Sequence, residues 1–236
     1  MSSEIVIREL KTVQDQSLAR AVFDHTWAMD AGTEITPNLL QAMTHGGAYL
    51  SGAFDGDKCV GASFAFPATT DGLHLHSHMT AVLDDYRDKG VGYKLKIHQW
   101  HWAKENNFSE ITWTFDPLVK RNARLNLFKL GADIKSYHPN FYGDMPDALN
   151  AGDESDRLMA SWKVVGDSPV SRDEIANPES SDILIKIPDD IVAIRERDLA
   201  ENLKWRHKVR EQFVFAFAKG GQVIGFSANS EYVVRI

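Results

Sequence analysis

The stretch DDYRDKGVGYKLK, residues 84–96, sets an arginine, a lysine and two glycines between an apolar run and a helical one. Gly90 and Gly92 let the backbone turn sharply and present successive N–H groups, and a helix starting near Val91 aims the positive end of its dipole at the same place. Anions should dock there. Two familiar phosphate loops do not fit. The third glycine of a G-x-G-x-x-G dinucleotide loop falls on Leu95, and Gly92 is followed by Tyr93-Lys94 instead of the lysine and hydroxyl residue of a P-loop. What remains is Arg87-x-x-Gly90-x-Gly92.

Upstream of this loop, LHLHSHMTAVL reads as a strand after a turn at Asp71-Gly72. Before it, AYLSGAF and KCVGASFAF are joined by DGDK, in which Asp55-Gly56 between apolar runs signals a hairpin. EIVIREL reads as the first strand, followed by a helix over VQDQSLARAVFDHTWAMD and a shorter one near Pro37, with Thr36 as N-cap and a stop at Gly46-Gly47. Downstream, a helix over residues 91–107 carries Val91, Leu95 and Trp102 on one face and Tyr93, Ile97 and Trp100 on a neighbouring one. EITWTF is a strand by its β-branched and aromatic content. VKRNARLNLFKLGA is a short helix in which Ala123, Leu127 and Leu130 form one stripe, Asn122, Asn126 and Lys129 another, and Gly131 suits the C′ position. DIKSYHPNFYG reads as a strand and turn, RLMASWKVV as a strand and GDSPVSRDEIANPESSD as a linker. The tail has its own pattern: ILIKI, a helix with Trp205, Val209, Phe213 and Phe217 at four-residue steps, a stop at Gly220-Gly221, and a hairpin over QVIGFSANSEYVVRI. Strands and helices in this order make an α/β chain.

A length of 236 residues suits one large domain with an appendage, and the linker divides it into 1–165 and 166–236. A net charge of −7 argues against a nucleic-acid binder, which needs a basic face. No apolar run approaches the roughly 20 residues of a membrane helix. The start, MSSEIVIREL, has neither the basic nor the apolar region of a secretory signal, and the single cysteine, Cys59, cannot form an intrachain disulfide; both point to the cytoplasm. Cys59 lies in a strand-like run and reads as a core residue.

The order strand, helix, helix, three antiparallel strands, R-x-x-G-x-G loop, helix, strand, helix, strand resembles the GNAT acyltransferase superfamily over residues 4 to 165. Within it, SHMTAVLDDYRDKGVGYKLK, ITWTFDPL, NARLNLFKLGA and NFYG together look like an uncharacterised bacterial branch. The resemblance implies a mixed, mostly antiparallel sheet flanked by helices, here with a C-terminal helix-plus-hairpin extension. It also implies two strands that splay apart to admit the pantetheine arm of acetyl-CoA or another acyl-CoA. The backbone of Ala81, Val82 and Leu83 would then bind that arm, and Arg87, Asp88, Lys89, Gly90, Val91 and Gly92 would wrap the pyrophosphate, where bare amides can converge on two phosphates. Asn122 and Asn126, one turn apart, could hydrogen-bond the same cofactor. Lys89, Lys94, Lys120, Arg121 and Arg124 would add positive charge around it.

Acylation of an amine by a thioester needs a base, an oxyanion donor and a proton for the departing thiolate. Many relatives supply that proton from a tyrosine where this chain has Leu127. Tyr142 in NFYG, and Tyr137, are substitutes. His74, His76 and His78 alternate along one strand and therefore face one way. His78, nearest the implied splay, is the expected general base, since an unperturbed imidazole pKa of about 6.5 suits the task. Asp116, ending WTFD, is expected at the cleft floor, binding a cationic amine or acting as base through a water. The resulting expectation is an acyl-CoA-dependent N-acyltransferase that moves an acetyl or succinyl group to a small primary amine such as an amino acid, with no metal, no nucleic acid and no membrane involved. A silent acyl-CoA-binding module and a metal-dependent hydrolase built on His74, His76 and His78 are the alternatives. The tail could cover a sheet edge, roof the acceptor pocket or join a homodimer.

Overall fold

The computed structural model describes residues 4–28, 35–145, 152–172 and 176–236. They fall into two compact units. One holds the described residues of Met1–Trp113 and Lys163–Pro169, the other those of Thr114–Pro146, Asn150–Trp162 and Val170–Ile236. The main sheet is mixed and mostly antiparallel.

In the first unit β1 (Val6–Glu9) leads to α1 (Val13–Thr26) and α2 (Pro37–His45). Hydroxyl caps start both helices: Thr12 Oγ1 accepts from Asp15 N, and Thr36 Oγ1 accepts from Leu39 N with Pro37 filling the first turn. The strands β2 (Tyr49–Asp55), β3 (Lys58–Ala68) and β4 (His74–Val82) form an antiparallel meander. One 3₁₀ turn, Asp84–Tyr86, precedes α3 (Val91–Glu105), and β5 (Glu110–Phe115) then joins β4 in parallel. Alternation along β2 feeds two cores. Leu50 and Phe54 join Val22, Phe23, Leu40 and Phe64, whereas Ala53 joins Val91 and Leu95 of α3.

One feature of β4 escapes periodicity. Phe64 pairs with Met79 and Ala65 with Ser77, so His78 is an extra residue in a β-bulge. Bulges bend and twist a strand, and this one sits two residues beyond the last β4 residue that pairs with β5.

In the second unit α4 (Lys120–Arg124) runs into a π turn over Leu125–Lys129, marked by Leu130 N donating to Leu125 O at 3.0 Å. The chain continues through β6 (Asp133–His138) and its antiparallel partner β7 (Arg157–Lys163). It ends in β8 (Ile183–Lys186), α5 (Ile191–Arg197), α6 (Leu199–Ala218), β9 (Gln222–Phe226) and β10 (Glu231–Arg235), with the three strands paired in the order β8-β10-β9. The tail expectations hold for strand, helix and hairpin, but α5 was not foreseen; Asp190 caps it and Asp198 caps α6. The buried stripe of α6 also differs from the apolar one expected. It runs Asn202, Arg206, Val209, Phe213, Ala216, leaving Trp205 at its margin.

Gly131 ends the π turn with φ +64°, and a Cβ built there would lie 2.2 Å from the carbonyl oxygen of Val170. Gly131→Ala is therefore expected to lower unfolding stability by about 1–3 kcal/mol, through a left-handed backbone and a backbone clash together, as read from the midpoint of urea denaturation.

Candidate active site

Strands β4 and β5 are paired only at Leu75 with Ile111 and His76 with Thr112, while β4 stays paired with β3 as far as Val82. Beyond His76 the other edge of β4 is released. Ala81 and Val82 lie on this stretch, and Leu83 follows it, anchored on the β3 side by its N–H to Val60 O at 2.9 Å. Then comes the glycine loop. Gly90 adopts φ +78° as the N-cap of α3 and offers no side chain to the first-turn amides, whose intrahelical bonding starts with Lys94 N to Gly90 O. A Cβ at Gly90 would meet nothing within 4 Å, and one at Gly92 only Val82 Cγ2 at 3.9 Å. Open amides at a helix N-terminus suit a pyrophosphate, and an unpaired strand edge suits the amide-bearing arm of coenzyme A. The side chain of Arg87 is exposed and held by Asp84 at 2.7 Å, and Lys89 lies over the Tyr86 ring at 5.2 Å. A cavity of 710 Å³ adjoins the start of the loop, lined by Leu18, Val22, His25, Cys59, Leu83 and Asp84.

The three strand histidines have different surroundings. His74 Nδ1 lies 2.9 Å from Gly72 O and His76 Nδ1 3.0 Å from Thr112 Oγ1. Desolvation, with the neighbouring His78 and His74, pushes His76 down to about 4, so its imidazole is neutral at physiological pH. His78, on the bulge, packs against Phe64 and Phe66 with centroids 6.5 and 5.9 Å away, yet stays exposed. Partial desolvation lowers its pKa below the usual imidazole value. Among the described residues no three His, Cys, Asp or Glu side chains are grouped so as to hold a metal ion.

On the α3 side of the bulge lies a chain of buried polar groups that a search for apolar stripes passes over. Lys96 Nζ donates to Ser77 Oγ at 2.9 Å and Gln99 Oε1 at 3.1 Å, Gln99 Nε2 to Ser63 Oγ at 3.2 Å, and Ser63 lies 3.0 Å from Thr80 Oγ1. The available signal was spacing: Gly92, Lys96, Gln99 and Ala103 follow the i, i+4, i+7, i+11 stripe of a helix face.

Other expected residues belong to the second unit. Tyr142 is exposed, its hydroxyl 2.8 Å from Thr114 Oγ1 at the end of β5. Tyr137 donates to Asp156, which with burial raises its pKa, so it holds its proton firmly. Asn126 is buried within the π turn, and Asn122 half-buried one turn before it. Lys120 is paired with Asp189 at 2.7 Å.

Asp116 differs from expectation. In the turn after β5 its Oδ1 accepts from Leu118 N at 2.9 Å, and no oxygen is left for a substrate amine. Arg206 grips it with Nη1 and Nη2 at 2.6 and 2.8 Å, and Arg195 approaches at 3.3 Å. Both arginines also bind Asp153, at 2.5 and 2.7 Å. Burial alone would raise the Asp116 pKa, but the charge and hydrogen bonds of Arg206 more than offset it and hold the carboxyl at about 2. So acidic a group is a poor base at neutral pH.

The sequence pattern of the family described as Acetyltransferase (GNAT) family matches residues 16–132. This chain carries a GNAT acetyltransferase domain. Acyl transfer from acyl-coenzyme A is that family's reaction. Among solved structures, an acetyltransferase of the GNAT family from Streptococcus pneumoniae is 14% identical, covering 69% of this chain and 100% of its own, with a TM-score of 0.55. The ribosomal-protein-S18-alanine N-acetyltransferase from Escherichia coli is 14% identical over 70% of this chain and 97% of its own, at 0.53. Ard1 from Thermoplasma volcanium is 17% identical over 69% and 99%, also at 0.53. At these identities the likeness is one of fold. No curated protein matches the chain.

Removing Arg206 would leave two buried carboxylates short of a partner. Arg206→Met is expected to cost about 3–5 kcal/mol of stability at pH 7. The Asp116 pKa of about 2 lies below its ordinary 3.8, so its contribution is present above pH 4 and lost as pH falls toward 2. An acid titration followed by circular dichroism should therefore find the variant unfolding at a higher pH than the wild type.

Proposed function

We propose that this protein is an N-acyltransferase that moves an acetyl or succinyl group from acyl-CoA to the primary amine of a small molecule such as an amino acid, by direct attack. Transfer chemistry is assigned to residues 1–165, and 166–236 are an extension of that domain. The observation that carries the reading is the early release of β4 from β5 beside an uncapped, glycine-led helix N-terminus. Acyl-CoA supplies an activated carbonyl and a thiol leaving group. The backbone of Ala81, Val82 and Leu83 pairs with its arm; Arg87, Asp88, Lys89, Gly90, Val91 and Gly92 hold its pyrophosphate; Asn122 and Asn126 contribute amide contacts. His78 accepts the proton of the attacking amine. It needs no activation for that role, since its lowered pKa leaves the ring neutral at pH 7. Tyr142 is the side chain that stands in for the tyrosine replaced by Leu127, as a donor of the proton that the departing thiolate takes up. Acceptors are small amines, and the protein works in the cytoplasm.

A second reading, a module that binds acyl-CoA without turnover, draws support from Leu127, which is buried where many relatives carry a tyrosine. Thiol release with a panel of amines separates the two.

Calorimetric titration with acetyl-CoA and succinyl-CoA tests the binding half. Gly92→Asp fits the local space but puts a negative charge among the phosphate-binding amides, and should weaken the donor by about tenfold or more. Equal heats for variant and wild type, or none for either, would refute the assignment. For the chemistry, His78→Ala should lower turnover by about 10²-fold or more while donor affinity changes little. In the wild type, kcat should decline as pH drops below 6.5, because acid protonates the base; unchanged turnover in the variant would remove His78 from the mechanism.

A further inference from the structure

The amino group of Lys96 lies at the vertex where β4 and β5 come apart. His76 and Thr112 are the last paired residues; the next on each strand are Ser77 and Trp113, and Lys96 meets both. Its Nζ donates to Ser77 Oγ at 2.9 Å and stands 3.8 Å from the centre of the Trp113 ring. The side chain is 4% exposed. Among the described residues no carboxylate forms an ion pair with it; its polar partners are Ser77 and Gln99. Because Ser77 accepts from Lys96, the hydroxyl proton of Ser77 is free to be donated toward the gap.

This inference rests on the acyl-transfer reading, in which the departing sulfur needs a proton. We propose that Ser77 and Lys96, in place of Tyr142, form the pair that delivers it, with Ser77 as the donor and Lys96 as the residue acting through it. The amine nitrogen forms the C–N bond and gives its proton to His78. The C–S bond breaks, the thiolate takes the Ser77 hydroxyl proton, and Lys96 gives one to Ser77. Lys96 is left neutral and His78 charged; one proton returned from His78 to Lys96 through solvent closes the cycle.

Burial supports the role by pushing Lys96 down to about 7, below the roughly 8.5 of an ordinary thiol, so that proton delivery to a thiolate is downhill. The elements packed on Lys96 bring it Ser77 and His76 from β4, Trp113 from β5 and, through Gln99, Ser63 from β3. His76 is the titratable one among them, and its own pKa of about 4 keeps it neutral over the relevant range.

The test follows thiol release from acetyl-CoA and succinyl-CoA with an equimolar mixture of the twenty protein amino acids, between pH 5.5 and 9.5, alongside calorimetric binding of each donor. In the wild type kcat should fall on the alkaline side as Lys96 loses its proton. Lys96→Met should lower kcat at pH 7 by about 10²-fold, leave donor affinity within about threefold and abolish the alkaline fall. Lys96→Arg, which keeps its proton, should recover part of the rate without that fall. A Lys96→Met enzyme within twofold of wild type, or one slowed by the same factor at every pH with the fall intact, would overturn the proposal. Should Lys96→Met not fold, Ser77→Ala must show the loss instead, and an unimpaired Ser77→Ala enzyme overturns it equally. Independently of any acceptor, the Lys96 Cε resonance should titrate near pH 7 in the NMR spectrum of the whole protein; a midpoint above 10 refutes the assignment. Failure of the wild type to bind either donor sinks the acyl-transfer reading itself, whereas binding and turnover with an unaltered Lys96→Met profile sinks only the role of Lys96.

Discussion

A single surplus residue in β4 governs the arrangement around it. With His78 bulged out of the ladder to β3, β4 cannot keep one straight register with a neighbour on each side, and its pairing with β5 stops at His76. Main-chain groups that a closed sheet would consume are left open along one edge, beside the amides that begin α3. The bulge also turns an imidazole outward at the place where the edge becomes free. Sheet geometry, an open backbone and a base thus trace back to one insertion.

The two units handle buried charge in opposite ways. Around Asp116 in the second, each carboxylate is matched by arginine nitrogens, and the pairing drives its pKa down. Around Lys96 in the first, two hydroxyl-bearing or amide side chains and an indole face take the place of a counter-ion, and the amine gives up its proton near neutrality. Matched charges fix a structure; an unmatched one retains a choice of protonation state, which is what proton transfer uses.

Much of the fold was legible because local chemistry and tertiary role agree there. Thr36-Pro37 starts α2 as a capped helix should, EITWTF is β5 to the residue, and the R-x-x-G-x-G string lies at the head of α3. What escaped reading depends on partners distant in sequence. The His78 bulge is set by the register of β3, not by any alternation in LHLHSHMTAVL. Arg206 and Lys96 each lie on a buried helix face, and a hydrophobic count skips them because nothing local reveals that Asp116, 90 residues away, or Ser77 will receive them. Asp116 reads as a substrate ligand in the sequence, since the arginine that claims it lies far down the chain. The π turn after α4 is likewise silent in the sequence, because NARLNLFKLGA has the spacing of an ordinary helix.

The grip of Arg195 and Arg206 on Asp116 and Asp153 also bears on how the chain leaves the ribosome. The carboxylate of Asp116 is synthesised 79 and 90 residues before the two guanidiniums that bind it, so until α5 and α6 emerge that part of the nascent polypeptide lacks the partners that let it desolvate its acids. The second unit therefore cannot complete its interior vectorially. It must wait for its C-terminal segment, and a message truncated in that segment would yield a product with hydrated acids where an interior should be.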